Sequence, residues 1–412
     1  MPMEDEAVSV RAKRRINSVD LLRGIVMMIM LLDHTREFVH HNALVNDPSN
    51  LANTTTLLFF TRWITHFCAP AFVFLSGVSI YLQKMNGKSE AVLSRFLWTR
   101  GLWLIFLEFT VVRFLTTYNL DYSYFGMAQV IWVIGVSMIV MAAAIRLSVK
   151  ANAAIGLAMI MFHNLLDGFA LPPNITFAGT PPATLAQDLW MIFHQPGIVA
   201  LFGGATKIFF AYPLIPWIGV TMTGYALGSI YELAGEVRRR YLLFIGIAAC
   251  VLFVVIRFIN IYGDPQPWAQ QASGVFTFLS FLNTTKYPPS LLFLLMTLGP
   301  SMIVLSLADQ IRGESAWQRV CVIFGRVPMF FYLLQWVSAH TFGVALNYFA
   351  GVDVSYLFLD PLSMGAAAPP NHGFSIWIAY LAWISGLVLL FPLCRLWSKL
   401  KQQKKHWVFS YL

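Results

Sequence analysis

The sequence predicts an all-α integral membrane protein with about ten transmembrane helices. Of its 412 residues, 58% are hydrophobic and only 11% are charged, whereas charged residues make up about a quarter of an ordinary soluble protein. Long apolar runs recur along the chain, and an apolar helix of about 20 residues spans the hydrocarbon core of a bilayer. We therefore expect one transmembrane domain over residues 16–398, flanked by basic tails at 1–15 and 399–412.

The predicted helices follow the apolar runs in chain order. They are expected at 16–36, 62–83, 96–116, 125–146, 151–165, 208–231, 241–262, 286–308, 325–346 and 375–397. Lys and Arg are concentrated in every second connection, at 11–15, 84–100, 146–150, 238–240, 312–319 and 395–405. Basic loops stay in the cytoplasm by the positive-inside rule, so both termini are expected there. The net charge of +9 then reflects topology rather than a nucleic-acid partner.

The loops on the other side are expected at 37–61, 166–207, 263–285 and 347–374. Two of them are long and rich in proline, and loops of that length usually have a function. Most of the histidines map to the same side of the membrane: His34, His40, His41, His66, His163, His194 and His372. Titratable chemistry is therefore expected toward the outer face.

Several site classes are excluded by the motifs. The cysteines are Cys68, Cys250, Cys321 and Cys394, and they form no CxxC pair and no metal-ligand spacing with a histidine. We expect neither a structural metal nor an obligatory disulfide. The chain also has no P-loop, no serine nucleophile elbow and no GxGxxG in the context of a strand.

The first predicted helix carries more ionisable groups than a simple membrane anchor would keep. Asp20 and Arg23 lie near its start, and Asp33, His34 and Arg36 lie near its end. Each charge at the bilayer centre costs roughly 2.5–3.5 kcal/mol on insertion scales. Arg23 and His34 lie within about 20° of each other on the helix, and Asp20 can pair with Arg23. A functional role is not the only interpretation of these residues. Asp20 and Arg23 could instead be a charge pair that marks the cytoplasmic end of the helix, and Asp33 and His34 could be polar residues at the outer membrane surface.

The second predicted helix offers a partner for the first. Arg62 and His66 lie one turn apart and share a face. Pro70 cannot donate to the carbonyl of His66, and a kink of this kind survives in a membrane only where it lines protein or water. The alternative is packing, with Arg62 extended toward the interface.

Other polar residues are weaker candidates. Glu108 lies within the third predicted helix and needs a cationic partner, for which Arg113 and Arg257 are the choices. His163 and Asn164 begin the motif HNLLDG at the end of the fifth helix. They are candidates for binding, although a histidine at a helix end is commonly a cap or loop contact.

Lys286 precedes the proline pair Pro288 and Pro289. Proline favours the first turn of a helix, so this pair can begin the eighth span. Lys286 is therefore a binding candidate at a helix start.

Six segments together resemble a known family. They read SVDLLRGIVMMIMLLDHTREF, TRWITHFCAPAFVFLSG, HNLLDG, YPLIPWIGV, NTTKYPPSLLFLLMTLGP and FGRVPMFFYLL. They are similar to the bacterial branch of the heparan-α-glucosaminide N-acetyltransferase catalytic-domain family, among the transmembrane acyltransferases, over about residues 15–395. The resemblance implies a multi-pass enzyme of the bacterial inner membrane. It would transfer an acyl group, usually acetyl, from cytoplasmic acyl-CoA to an amino sugar or glycan on the far side.

The resemblance also implies where the catalytic residues lie. The lysosomal members have an Asn at the end of the first core helix and a His shortly after it. The corresponding helix end here carries Asp33 in place of that Asn, then His34, with His40 and His41 further along. His34 is therefore a candidate for the catalytic histidine, and His40 and His41 remain rivals.

The chemistry of acyl transfer points to the same residues. It needs a general base that titrates near neutral pH, which is the usual task of His, and a donor for the developing oxyanion. We expect His34 to deprotonate the acceptor or carry the acyl group, with Asp33 and Arg36 positioning it. Arg62 and His66 are expected to polarise the thioester carbonyl, and His66 is a further rival as base. The residues expected to bind substrate or acetyl-CoA are Arg23, Arg62, His40, His41, His163, Asn164 and Lys286.

Two other classes of function are compatible with some of the same observations. A proton-coupled transporter or flippase would use the intramembrane charges as a relay, and a scaffold protein would fit the aromatic helices but not the buried polar groups. The expected partners are a glycan or amino-sugar acceptor and membrane lipids, and the chain is compatible with a homodimer. Acetyl-CoA is the expected co-substrate, and either N- or O-acetylation fits the sequence.

Overall fold

The computed structural model describes residues 16–41, 43–177, 183–311, 315–404 and 411. The predicted basic tail at 1–15 lies outside the described residues, as does most of the predicted tail beyond residue 404.

The described chain is mostly helical. The first α-helices are α1 (Asn17–Val39), α2 (Thr56–Thr65), α3 (Cys68–Met85), α4 (Glu90–Leu107), α5 (Arg113–Thr117), α6 (Val130–Ala144), α7 (Val149–Phe162), α8 (Pro173–Thr176) and α9 (Leu185–Phe193). They are followed by α10 (Leu214–Gly228), α11 (Gly235–Ile259), α12 (Gly274–Leu282), α13 (Leu291–Ala308), α14 (Ala316–Arg326), α15 (Pro328–Phe349), α16 (Pro361–Ala367) and α17 (Ile376–Gln403). A π-helical turn, Glu108–Val112, joins α4 to α5.

The prediction of an α-helical membrane protein is confirmed in this coarse form. Six described helical segments are long and apolar enough to cross a membrane: Thr56–Met85, Val149–Phe169, Gly235–Ile259, Leu291–Ala308, Pro328–Phe349 and Ile376–Gln403. The other four predicted spans do not form helices that are both long and apolar enough to meet this criterion. α6 and α10 have 15 residues each, and α1 and α4 carry several charged residues each.

A small sheet interrupts two of the predicted spans. Its strands are β1 (Tyr124–Ala128), β2 (Gly197–Leu201) and β3 (Thr206–Phe210), in the order β1-β3-β2. β3 pairs with β1 in parallel and with β2 antiparallel. β1 and β3 occupy residues expected to begin the helices 125–146 and 208–231, because a short apolar run does not distinguish a strand from a helix.

The predicted kink in the second helix is present. α2 ends at Thr65 and α3 begins at Cys68, so His66 and Phe67 lie between two helical segments. Pro70 has no backbone N–H to offer the carbonyl of His66. His66 and Phe67 keep helical φ and ψ angles, so the helical hydrogen bonding is interrupted at His66 within one segment, Thr56–Met85.

α1 lies at the centre of the bundle and contacts α2, α3, α13, α14, α15 and α17. α14 was not predicted as a separate helix, yet it approaches α1 most closely. A Cβ at Gly24 would lie 1.8 Å from the carbonyl oxygen of Cys321, and a Cβ at Gly325 would lie 1.8 Å from that of Asp20. Glycine is therefore required on both helices for their backbones to touch.

Candidate active site

Asp33 on α1 lies between two arginines. Its Oδ2 accepts a hydrogen bond from Nη1 of Arg62 at 2.5 Å, and its Oδ1 accepts one from Nη2 of Arg36 at 3.2 Å. The side chains of all three are at least 87% buried. Arg36 lies one turn from Asp33 on α1, and Arg62 adds a link between α1 and α2. Two guanidinium groups and one carboxylate thus form a buried cluster with excess positive charge.

His34 does not use Asp33 as its orienting group. Its Nδ1 lies 3.3 Å from Oε2 of Glu37, one turn further along α1. Its ring packs on Trp336 of α15, with 3.7 Å between the ring centroids. When Nδ1 carries the proton and donates a hydrogen bond to Glu37, Nε2 is left as an acceptor. Histidine held by a carboxylate in this way has the geometry of a general base.

Glu37 was missed as a site residue from the sequence. The available signal was its spacing of three from His34, which places the two side chains on one helix face. Lys286 was predicted, and the structure brings it to the same region. Its ammonium lies 5.1 Å from the ring centroid of Tyr287.

Three cavities among the described residues lie near this cluster: the lower and central cavities border α1, and the upper cavity borders α2. The central cavity, about 480 Å³, is bordered by Asp33, His34, Glu37, Lys286, Tyr287 and Trp336 among others. The lower cavity, about 570 Å³, lies at the N-terminal half of α1 and is bordered by Asp20, Arg23, Lys88, Arg100, Arg326 and Lys401 among others. The upper cavity, about 510 Å³, is bordered by Asp47, Asn50, Arg62, His66, Gln266 and Asn283 among others.

Neighbouring cavities share lining residues. Met30, Val130 and Tyr332 border both the lower and the central cavity. Lys286 and Tyr287 border both the central and the upper cavity. The site around Asp33 and His34 is thus approached from two ends of the molecule through different sets of side chains.

The lower cavity contains the expected pair near the start of α1. Nη1 of Arg23 lies 3.2 Å from Oδ1 of Asp20, and Nη2 donates to Oγ of Ser79 at 2.8 Å. Arg100, Arg326, Lys88 and Lys401 border the same cavity. Its positive charge suits an anionic ligand, because arginine binds phosphate oxygens with paired hydrogen bonds.

His66 borders the upper cavity. The side chain is buried, and its ring packs on Phe293 with 5.4 Å between centroids. Arg62 borders the same cavity while its guanidinium reaches Asp33. The predicted neighbours Arg62 and His66 therefore lie together at the boundary with the Asp33 cluster.

His40 and His41 lie at the end of α1, where they tie it to the start of α17. Nδ1 of each lies within hydrogen-bond distance of the Phe374 carbonyl oxygen, at 2.9 and 3.0 Å. Burial lowers the pKa of His40, and the hydrogen bond to Phe374 acts in the opposite direction. Neither residue borders any of the three cavities.

His163 and Asn164 also lie away from the three cavities. Asn164 donates to Asp167 at 2.8 Å and accepts from the backbone N–H of Leu291 at 2.9 Å. Asp167 in turn lies 3.1 Å from Nε2 of His194. These contacts hold the segment after α7 against the start of α13.

The expected ion pair of Glu108 with an arginine is wrong. Oε2 of Glu108 accepts from the backbone N–H of Trp132 in the first turn of α6 at 2.8 Å. Arg113 instead donates to backbone carbonyls that include Tyr124, and Arg257 donates to those of Ser280 and Phe281. A helix N-terminus supplies unpaired N–H groups and positive potential, so it replaces the cation.

No group of three or more His, Cys, Asp or Glu residues in the described part of the chain is arranged to hold a metal ion. A family model described as heparan-alpha-glucosaminide N-acetyltransferase, catalytic, matches residues 15–252. The match includes the Asp33 cluster, His34 and His66, whereas Lys286 and Trp336 lie beyond it. No curated protein matches the chain.

Proposed function

The chain belongs to the heparan-alpha-glucosaminide N-acetyltransferase catalytic family, and from this premise we propose that it moves an acetyl group from cytoplasmic acyl-CoA to a sugar or glycan on the outer face of the membrane. Membership indicates a membrane acetyltransferase. The observation that carries the finer proposal is the order of the cavities: a basic cavity at the start of α1, the central cavity with His34, and a polar cavity that adjoins it at Lys286.

The proposed topology has ten spans, both termini in the cytoplasm of a bacterium, and one acyltransferase domain over residues 16–398 in its inner membrane. It is supported by the position of one basic segment. Asp309 accepts from Ser18 at the start of α1 at 3.3 Å and from Arg238 at 2.5 Å. The segment 238–240 therefore lies at the same end of the molecule as the start of α1. By the positive-inside rule the lower cavity then faces the cytoplasm.

The lower cavity is the proposed donor site. Its arginines suit the phosphate groups of acetyl-CoA. Arg23 and His34 are eleven residues apart on one helix, or about 16 Å at 1.5 Å per residue. An extended thioester arm would reach past Met30 toward His34 while the nucleotide stays in the lower cavity.

The upper cavity is the proposed acceptor site. Besides Arg62 and His66, it is bordered by amide and hydroxyl side chains of Asn50, Gln266, Asn283, Thr284 and Thr285. Such groups hydrogen-bond sugar hydroxyls in either direction. Lys286 borders both this cavity and the central one, so an acceptor bound here would reach the transfer site beside Lys286.

The transfer step assigns one role to each group. His34 takes a proton from the acceptor amine or hydroxyl, whose nitrogen or oxygen attacks the thioester carbonyl carbon. The carbon–sulfur bond then breaks, and CoA leaves as a thiolate that recovers the proton from His34. Glu37 orients the imidazole, and Arg36 and Arg62 keep Asp33 in place beside it. An acyl group carried on His34 is a second route through the same residues.

The decisive experiment uses the purified full chain with labelled acetyl-CoA and a panel of amino sugars and glycans. Label should pass to one acceptor class, and acetyl-CoA alone should raise the unfolding temperature by mass action. A proton-coupled transporter or flippase would be stabilised by its cargo and not by acetyl-CoA. Absence of both transfer and stabilisation would refute the proposal.

A further inference from the structure

Tyr332 of α15 lies at the junction between the lower and central cavities. With Met30 and Val130, it borders both of them. An acyl group that enters from the lower cavity must therefore pass its side chain. Trp336, one turn further along α15, packs on His34, so Tyr332 lies one turn before the proposed base.

The hydroxyl of Tyr332 is buried, and its proton has no acceptor within the described part of the chain. The side chain is only 4% exposed, and the indole N–H of Trp336 is the group that approaches its oxygen as a donor. Burying a hydroxyl without a hydrogen bond is unfavourable. Buried polar groups of this kind are uncommon, and a functional role is one explanation. Here the hydroxyl borders the path between two cavities.

Of the described polar side chains near the junction, Tyr332 is the one that borders both the lower and the central cavity. Gln335 uses its Nε2 on the sulfur of Met30 at 3.0 Å. Arg36 and Arg62 pair with Asp33 and border neither the lower nor the central cavity. Met30 lies four residues before His34, so the junction is about 6 Å from the level of His34 along α1.

We propose that the hydroxyl of Tyr332 donates a hydrogen bond to the carbonyl oxygen of the thioester during transfer. This rests on the proposed function and adds a catalytic residue to it. As the acceptor attacks the carbonyl carbon, the electron pair of the C=O bond moves to oxygen, and the Tyr332 O–H stabilises that charge. When the C–S bond breaks, the pair returns to the carbonyl, and Tyr332 keeps its proton throughout. A fixed donor at such a position is a large contributor to catalysis.

The test compares two CoA analogues that do not transfer their acyl group. One keeps the carbonyl but replaces the sulfur with a methylene group, as in acetonyl-dethio-CoA, and the other is ethyl-CoA, which has no carbonyl. Wild-type protein should bind the ketone several-fold more tightly, and Tyr332→Phe should bind both equally. Tyr348→Phe is the matched control, because Tyr348 lies on the same helix and is 66% exposed.

Kinetics and stability supply the second readout. Tyr332→Phe should lower kcat by about 10²–10³-fold, with little change in KM for acetyl-CoA and no loss of unfolding temperature. An unchanged preference for the ketone in Tyr332→Phe, or an unchanged kcat, would overturn the proposal. If neither analogue nor CoA binds wild-type protein, the proposed function itself has failed.

Discussion

Nη1 of Arg62 lies 2.5 Å from Oδ2 of Asp33 and joins α2 to α1 at the boundary between the central and upper cavities. Arg36 occupies the other oxygen of the same carboxylate. The cluster is buried, so its charges have little water to screen them. The charge of each buried group is consequently neutralised mainly by the other members of the cluster.

Asp33→Asn should destabilise the protein strongly. The guanidinium group of Arg62 would lose its carboxylate, and that of Arg36 would keep only its 3.8 Å contact with Glu37. Breaking a buried ion pair costs about 3–5 kcal/mol. Thermal or denaturant unfolding in detergent measures the loss. Asp353→Asn, at an exposed loop position, is the control and should change the free energy of unfolding by about 0.5 kcal/mol or less. Equal effects of the two changes would contradict the role of the cluster.

Glu37→Gln should reduce kcat with little effect on KM. The amide can still accept a hydrogen bond from His34 but cannot stabilise the imidazolium that forms during transfer. The loss should be smaller than the roughly 10²–10⁴-fold expected for His34→Asn, which removes the base. Initial rates with labelled acetyl-CoA measure both. Glu236→Gln, at an exposed position in the first turn of α11, is the control and should leave kcat unchanged. An unchanged kcat in Glu37→Gln would rule out the orienting role of Glu37.

Arg326→Gln should weaken binding of acetyl-CoA. Arg326 ends α14 and borders the basic lower cavity, so its loss removes one cation available to a phosphate group. We expect a several-fold rise in KM for acetyl-CoA with kcat retained. Arg319→Gln lies on the same helix, is exposed and borders none of the three cavities. The prediction fails if the two variants have the same KM.

Gly24→Ala should destabilise the contact of α1 with α14. The added methyl group would lie 1.8 Å from the carbonyl oxygen of Cys321, and the neighbouring atom is backbone rather than a movable side chain. Overpacking in a core costs about 1–3 kcal/mol, and this position should reach the upper part of that range. Gly168→Ala, with no atom within 4 Å of the new Cβ, is the control. Similar unfolding temperatures for both variants would be inconsistent with the close approach.

His40 should make stability depend on pH. Its pKa is lowered in the folded state by burial, so the unfolded state binds the proton more readily. The stability associated with neutral His40 is therefore present above its unfolded pKa of about 6.5 and is lost as the pH falls toward the folded value. His40→Asn should reduce the drop in unfolding temperature between pH 7 and pH 5. An unchanged drop in His40→Asn would contradict this assignment.

The sequence was most informative where charge and apolarity conflict. The polar groups of α1 and the break before Pro70 were predictable, because each violates the preference of an ordinary membrane helix. The contact of Arg62 with Asp33 was not predictable, since it depends on how α2 is rotated against α1. The partner of Glu108 was predicted wrongly. It is the backbone N–H of Trp132, and no residue type in the sequence identifies a backbone donor of this kind.

Short elements were the other source of error. α14 has 11 residues and lies beside a basic segment, so it was not predicted as a helix. β2 lies in a stretch expected to be a loop, and β1 and β3 in stretches expected to be helical. Yet Met127 of β1 and Phe209 of β3 border the central cavity. The shape of the site therefore depends on elements whose local pattern does not identify them.

The junction formed by Met30, Val130 and Tyr332 also bears on the membrane as a barrier. An enzyme that takes its donor from one side of a membrane and its acceptor from the other would dissipate the ion gradients of the cell if a continuous water-filled channel ran through it. In the proposed transfer, the side chains between the lower and central cavities would have to admit an acyl group and exclude hydrated ions. If the proposed transfer operates, small replacements at this junction should therefore increase proton permeation through the protein as well as change turnover.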